Sequence, residues 1–313
     1  MPFKNLSGTR KHNDVQAEIR GSAILINPAV VAQLSTSPVR LVVQPVGGGS
    51  GKTTNVSLDS AEEVAMLSRD VALIRSGDDA VWALLGLTHS TKMDQVARDV
   101  RALCMRPTGE TALALGWDGS ATELRLNRHE VDARPFAVRG SIRAADLTET
   151  DTYTVVDGAG GGQLRVHPGA TPEPGANARV DLPAEALAFD RIRGGARLSA
   201  VYKRGSATVC LVTGSPARYV TKLVQLETKA LDIAVMETSF VATFADGRLA
   251  LYDADAVLMA PDGGPIQPHF VLPLGTRGEP RTVTAIGKGS PTIWIGTSAG
   301  EVLSVAAVRK QST

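Results

Sequence analysis

Seven polar turns recur along this chain at nearly one spacing, and that regularity limits the folds open to it more than any other feature. They are centred on Ser37-Pro38, Gly77, Gly119, Gly162, Gly205, Gly247 and Gly300, at intervals of 40, 42, 43, 43, 42 and 53 residues. Each lies between two short apolar runs, as in LALGWDGSATELRL, SAVYKRGSATVCLV and IWIGTSAGEVLSV. Runs of this length, rich in β-branched residues and bounded by Gly, Asp and Ser, read as strands and not as helices. A further run precedes each pair, such as VAMLS, VRALCMRP, SIRAADL and LDIAVM, with small and β-branched side chains. A more polar run follows, such as KMDQVARD, RPFAVRG and YVTKLVQLE.

Four strands repeated about every 40 to 45 residues are the pattern of β-propeller blades, each a small twisted sheet that cannot bury both faces alone. The expected fold is all-β: one seven-bladed propeller of four-stranded antiparallel blades over residues 14–308, with polar tails at 1–13 and 309–313. The last repeat ends after EVLSVAAV without a fourth strand, and Asp14–Arg20 (DVQAEIR) is left over before the first repeat. This segment is therefore expected to complete the last blade, so that pairing of the two chain ends closes the ring and leaves no open sheet edge there.

Asp246-Gly247-Arg248-Leu249-Ala250-Leu251-Tyr252-Asp253 resembles the third strand of a WD repeat, with Tyr where that family usually has Trp. Residues 162–167 (GQLRVH) and 300–305 (GEVLSV) resemble it more weakly. The family's Gly-His pair is missing ahead of every first strand, and Trp117-Asp118 falls in a turn. The resemblance, which extends over nearly the whole chain, is to a divergent WD-like propeller and implies a binding scaffold. Without the His and Asp of the usual buried network, the blades are expected to depend more on apolar packing.

Composition narrows the partners. Among 313 residues, 33 Lys and Arg face 32 Asp and Glu, a net charge of +1. No overall field gathers nucleic acid or anionic lipid, so nucleic acid is an unlikely partner. No uncharged apolar run reaches the roughly 20 residues of a membrane span, and no signal-like segment opens the sequence, so a cytoplasmic protein that does not engage membranes is expected. Cys104 and Cys210, the only cysteines, both lie in apolar runs and read as buried free thiols.

Motifs for chemistry are weak. Residues 46–53, VGGGSGKT, suggest a phosphate loop, but Val46 stands where the motif needs Gly, and a strand pattern follows where a helix must begin. The five histidines, His12, His89, His129, His167 and His269, are scattered over different repeats and none sits in a catalytic signature. Neither CxxC, HxxxH nor a calcium-loop spacing occurs. No catalytic residue, metal or cofactor is therefore expected.

Two features point to binding. Asp78, Asp79, Asp118, Asp157 and Asp246 recur in the turns between second and third strands, either as ordinary turn chemistry or as an acidic rim for a basic partner. On the opposite face the segments Gln44–Lys52, Pro168–Asn177 and Asp255–Gln267 are longer than their repeat counterparts. The last carries Val257, Leu258, Met259 and Ile266, with His269 just beyond, and these five are the candidate partner-binding residues. The apolar loop either docks a partner or folds back onto its own blade. The basic tails could also form a small anion-attracting patch. The function expected is a non-enzymatic protein–protein interaction scaffold, or a subunit of a larger assembly; the alternative is a propeller enzyme or small-molecule binder using the channel mouth.

Overall fold

Runs such as Val71–Ser76 and Thr111–Gly116 carry few polar residues and need cover on both faces. In the computed structural model they lie fully buried in the interior of antiparallel sheets. The structure describes residues 5–11, 24–26, 30–36, 39–45, 51–158, 161–168, 178–195, 197–215, 218–261, 264–286, 292–299 and 301–308. They fall into two compact units: an N-terminal unit, Val15–Val156 with His167–Ala176, and a C-terminal unit, Asp157–Val166 and Asn177–Thr313 with Met1–Asp14.

The first strand, β1 (Asn5–Lys11), belongs to the C-terminal unit. The N-terminal unit contains three four-stranded sheets in sequential order. They are β2 (Ile24–Ile26), β3 (Val30–Thr36), β4 (Val39–Pro45) and β5 (Lys52–Asn55); β6 (Ala61–Met66), β7 (Val71–Ser76), β8 (Val81–Leu85) and β9 (Lys92–Ala97); and β10 (Val100–Met105), β11 (Thr111–Gly116), β12 (Ala121–Asn127) and β13 (Glu130–Pro135). Then β14 (Ile142–Leu147) pairs with β15 (Asp151–Gly158), and β16 (Gly161–Pro168) with β17 (Ala178–Asp181).

In the C-terminal unit a 3-10 turn at Ala184–Ala188 leads to a seven-stranded sheet: β18 (Arg191–Arg193), β19 (Leu198–Tyr202), β20 (Ser206–Ser215), β21 (Arg218–Val235), β22 (Ser239–Phe244), β23 (Arg248–Asp253) and β24 (Phe270–Pro273). Its central strand, β21, is 18 residues long and serves twice. Residues 218–225 pair with β20 and 230–235 with β22, Ala230 facing both Ser206 and Phe244, and a register shift flanks the changeover in each ladder. The sheet is thus two four-stranded ladders sharing one strand. The last sheet joins β25 (Pro280–Ile286), β26 (Thr292–Thr297) and β27 (Val302–Val308) to β1, which runs antiparallel to β27 with Asn5 opposite Val308. Residues 5–11, expected in a polar tail, therefore supply that strand. Asp14–Arg20, the turns at Ser37-Pro38 and Gly300, residues 46–50 and 169–177 of the long segments, and the tail 309–313 lie outside the described residues.

Burial is highest on the second strand of these sheets and lowest on the fourth. β7, β11 and β22 are buried throughout, whereas β5, β9 and β13 are exposed or half-buried at every position.

A register shift recurs where a four-stranded ladder opens, and in two cases a carboxylate beside it bridges to the next sheet. Each of β6, β10, β14, β21 and β25 has a register shift near the start of its ladder, between Ala61/Glu63, Val100/Ala102, Ile142/Ala144, Ala230/Asp232 and Pro280/Thr282. On the edge strand of a sheet alternate backbone N–H groups point away from the ladder, and such a group needs another partner when buried. In the N-terminal unit Glu63 accepts a bond from the Leu103 N–H at 2.6 Å. In the C-terminal unit Asp232, at the same register position, accepts one from the Val283 N–H at 2.8 Å. Carboxylate bridges between successive sheets thus supplement the apolar packing on which the blades were expected to depend more.

Cys210 is completely buried, and that burial pushes its thiol up to about 12. Above the unfolded thiol's value near 8.5 the unfolded chain sheds a proton that the folded chain keeps, so stability falls as pH rises from there towards 12. In the folded protein Cys210 is expected to resist alkylation at mildly alkaline pH and to react only under denaturant, which peptide mapping of the alkylated protein checks.

Candidate protein-binding groove

The insertion between β23 and β24 begins with a helix signal. Asp253 accepts a bond from the Ala256 N–H at 2.9 Å and caps a short helix, α1 (Ala254–Met259). Val257 (3% exposed) and Ile266 (6%) turn inward and join the cluster of Tyr252, Val224 and Leu226. Leu258 is half-buried, His269 is exposed with its N–H bonded to the Leu251 carbonyl, and Met259 is 87% exposed. Of the five candidate residues, the apolar pair Val257 and Ile266 anchors the insertion, while Met259 faces solvent. The fold-back seats the insertion on the first half of β21. Lys222 donates from Nζ to the carbonyls of Leu258 (3.1 Å) and Ala260, covering the helix's C-terminal carbonyls with a positive charge.

Val257→Ala is expected to cost about 2 kcal/mol through the cavity it leaves, whereas Met259→Ala stays within about 0.5 kcal/mol of the parent. Chemical denaturation of the two variants checks this contrast.

Between this insertion and β21 runs an open groove of about 670 Å³, lined by Thr208, Thr221, Leu223, Gln225, Pro261 and Ile266 among others. Its wall is a strand edge. The Ile266 N–H donates to the Gln225 carbonyl at 2.7 Å on the side of β21 away from β20. Backbone polar groups alternate sides along an antiparallel strand. From Gln225 the regular ladder therefore turns the N–H and C=O of Leu223 and Thr221 to the groove as well. Among the described residues the only pairing on this edge is the parallel bridge of Gln225 with Pro265. Val220, 49% exposed, sits on the same strand. Among the described lining residues Lys222 is the one with an ionisable side chain. The described lining therefore offers backbone hydrogen bonds and apolar contact, with no paired acid and base among the described residues. Among the described residues no group of three His, Cys, Asp or Glu is placed to hold a metal ion, and no helix is long and apolar enough to cross a membrane.

His167, one of the scattered histidines, belongs to the core of the N-terminal unit. It is 1% exposed, with Nε2 3.0 Å from Thr154 Oγ1 and its ring edge-on to Phe136. Sequence reasoning missed the edge of β21, because an 18-residue strand reads as two runs with a polar break.

No protein-family profile matches this chain, and no curated protein sequence matches it. Its structure is similar to that of the Cps50 (Swd1) beta-propeller domain from Myceliophteria thermophila, with a TM-score of 0.65 over 96% of this chain and 100% of that one, at 8% identity. The fold is a β-propeller. At that identity the likeness carries architecture and no function. Within this propeller the groove lies beside the half of β21 that pairs with β20.

Proposed function

We propose that this chain is a seven-bladed, WD-like propeller that works as a non-enzymatic interaction scaffold, binding an extended segment of a partner protein along the outer edge of β21. The seven-blade reading is supported by the double use of β21, which makes two four-stranded ladders of one sheet, and by the pairing of β1 with β27, which supplies the last blade's fourth strand. The observation that carries the function is the groove-facing backbone of Thr221 and Leu223. An extended peptide added to such an edge gains main-chain hydrogen bonds, with alternate side chains giving specificity. The exposed Met259 and Val220 flank it with adaptable apolar surface. The partner is a protein, either singly or within a larger assembly.

Leu223→Pro tests this directly. Proline removes the N–H that faces the groove and leaves the β20 ladder intact, since that N–H is not part of it, and edge strands tolerate proline. Affinity capture from native extract with the parent, Leu223→Pro and Met259→Arg is expected to recover a stoichiometric partner with the parent and to lose most of it with either variant. Equal recovery by all three, or no partner at all, contradicts the reading.

A further inference from the structure

The N-terminal unit carries an exposed aromatic side chain that its own packing does not require. Trp117 lies in the turn Gly116–Ser120 and is 66% exposed. The turn is tightly held: Gly116 N–H donates to the Ser120 carbonyl (2.9 Å) and Gly119 N–H to the Gly116 carbonyl (3.2 Å). Gly119 has φ of 80°, and a Cβ there would lie 1.9 Å from Ser141 Oγ. The tryptophan is fixed at two further points. Its backbone N–H donates to the Asp99 carbonyl at 3.1 Å and its indole Nε1–H to Asp79 Oδ2 at 2.9 Å. Both aspartates have positive φ, 62° for Asp79 and 56° for Asp99, conformations that cost free energy outside glycine. The indole bond is made at the ring edge, so a ring face remains open to solvent.

The surroundings are acidic. Arg75, itself 6% exposed, touches three carboxylates, Glu62, Glu63 at 3.3 Å and Asp79 at 3.0 Å, so two negative charges exceed its own. The Glu62 side chain is 53% exposed. Asp99 and Asp118 flank the tryptophan on the turns that hold it, and both are exposed. The nearby Arg101 turns its guanidinium to the carbonyls of Gly116, Ile142 and Arg143. An immobilised indole face with unbalanced carboxylates beside it is complementary to one kind of group, a cation that lies flat on the ring and is met at its rim by negative charge. Tryptophan is also among the residues enriched at the hot spots of protein interfaces.

We infer that Trp117, with Glu62 and Asp79, forms a docking site for a cationic side chain, arginine foremost, presented by a basic segment of a partner protein. Arginine fits best because its planar guanidinium stacks on an aromatic face while its N–H groups reach carboxylates. Asp79 acts here as a positioning residue, and the site is independent of the β21 groove.

The test titrates the full-length, 15N-labelled protein with Gly-Ser peptides bearing arginine, and with the same peptides bearing citrulline, which keeps the shape and removes the charge. The Trp117 indole resonance, assigned through Trp117→Phe, is expected to shift saturably with the arginine peptide and to stay unmoved by citrulline. Trp117→Ala should weaken arginine-peptide binding about tenfold. Glu62→Gln should weaken it severalfold, with the difference shrinking at high salt. Thermal melting of both surface variants should match the parent, which separates lost binding from lost fold. Equal binding of the citrulline peptide, arginine-peptide shifts that leave the Trp117 indole unmoved, no saturable shift, or parental affinity in Trp117→Ala would each overturn the proposal.

Discussion

Replacing Asp232 with Ala is expected to lower stability by about 3 to 5 kcal/mol, among the largest losses from any single change in the C-terminal unit. Asp232 is 4% exposed and accepts bonds from three elements: the Tyr202 hydroxyl on β19, the Arg193 guanidinium on β18 at 3.3 Å, and the Val283 N–H on β25 at 2.8 Å. Arg193 also donates to the Ile233 carbonyl at 3.1 Å. Truncation leaves a buried hydroxyl and a buried backbone N–H without an acceptor, and a guanidinium without its counter-charge. Leaving buried groups unpaired costs more than the net worth of the bonds they made. Burial, reinforced by the Asp232 charge, pushes the Tyr202 phenol far up, so it remains a donor through the whole working pH range. Tyr202→Phe removes the donor to Asp232 and also the hydroxyl oxygen that accepts from the Ile233 N–H at 3.4 Å, and should cost about 1 to 2 kcal/mol. Urea titrations of both single variants and the double variant form the cycle that checks this; the double variant should be less destabilised than the sum, because the unpaired hydroxyl is gone.

Phe240→Ala is expected to cost about 4 kcal/mol. Phe240 is fully buried on β22 and stacks on Tyr252 of β23, with ring centroids 4.8 Å apart and planes 11° from parallel. Both rings belong to the cluster that also holds Val257 and Ile266 of the insertion. The cavity left by Ala would loosen Tyr252 and the anchor of α1 together. Phe240→Leu, which refills most of the volume, should cost roughly 1.5 kcal/mol. The same denaturation experiment separates the two, and a matching loss in both would mean that the stack, and not the volume, carries the stability.

The propeller architecture was legible because its cause is local. Each turn needs Gly or Asp at a fixed place between two apolar runs, so the spacing of Gly77, Gly119, Gly162, Gly205 and Gly247 carries the repeat directly. Three features escaped for physical reasons. β1, NLSGTRK, has no apolar alternation, because its pairing with β27 rests on backbone hydrogen bonds that any sequence can make. The role shared by Glu63 and Asp232 is invisible in composition, since it depends on the next sheet presenting a backbone N–H at its edge. The insertion was read as a loop because six helical residues, ADAVLM, are too few to show a helical period; only the Asp253 cap marked it. Of the apolar residues singled out there, Val257 and Ile266 are buried beside β21, which leaves the strand edge and Met259 as accessible surface.

Hydrogen–deuterium exchange on the free protein and on its captured complex tests the binding claim most directly. In the free protein the groove-facing amides of Thr221 and Leu223 should exchange much faster than the amides of β20 and β22, since neither is part of a ladder bond. In the complex, protection should appear at residues 218–225 and at the rim around Met259. Protection that leaves β21 unchanged, or amides at 221 and 223 already slow in the free protein, would contradict a partner bound along that edge.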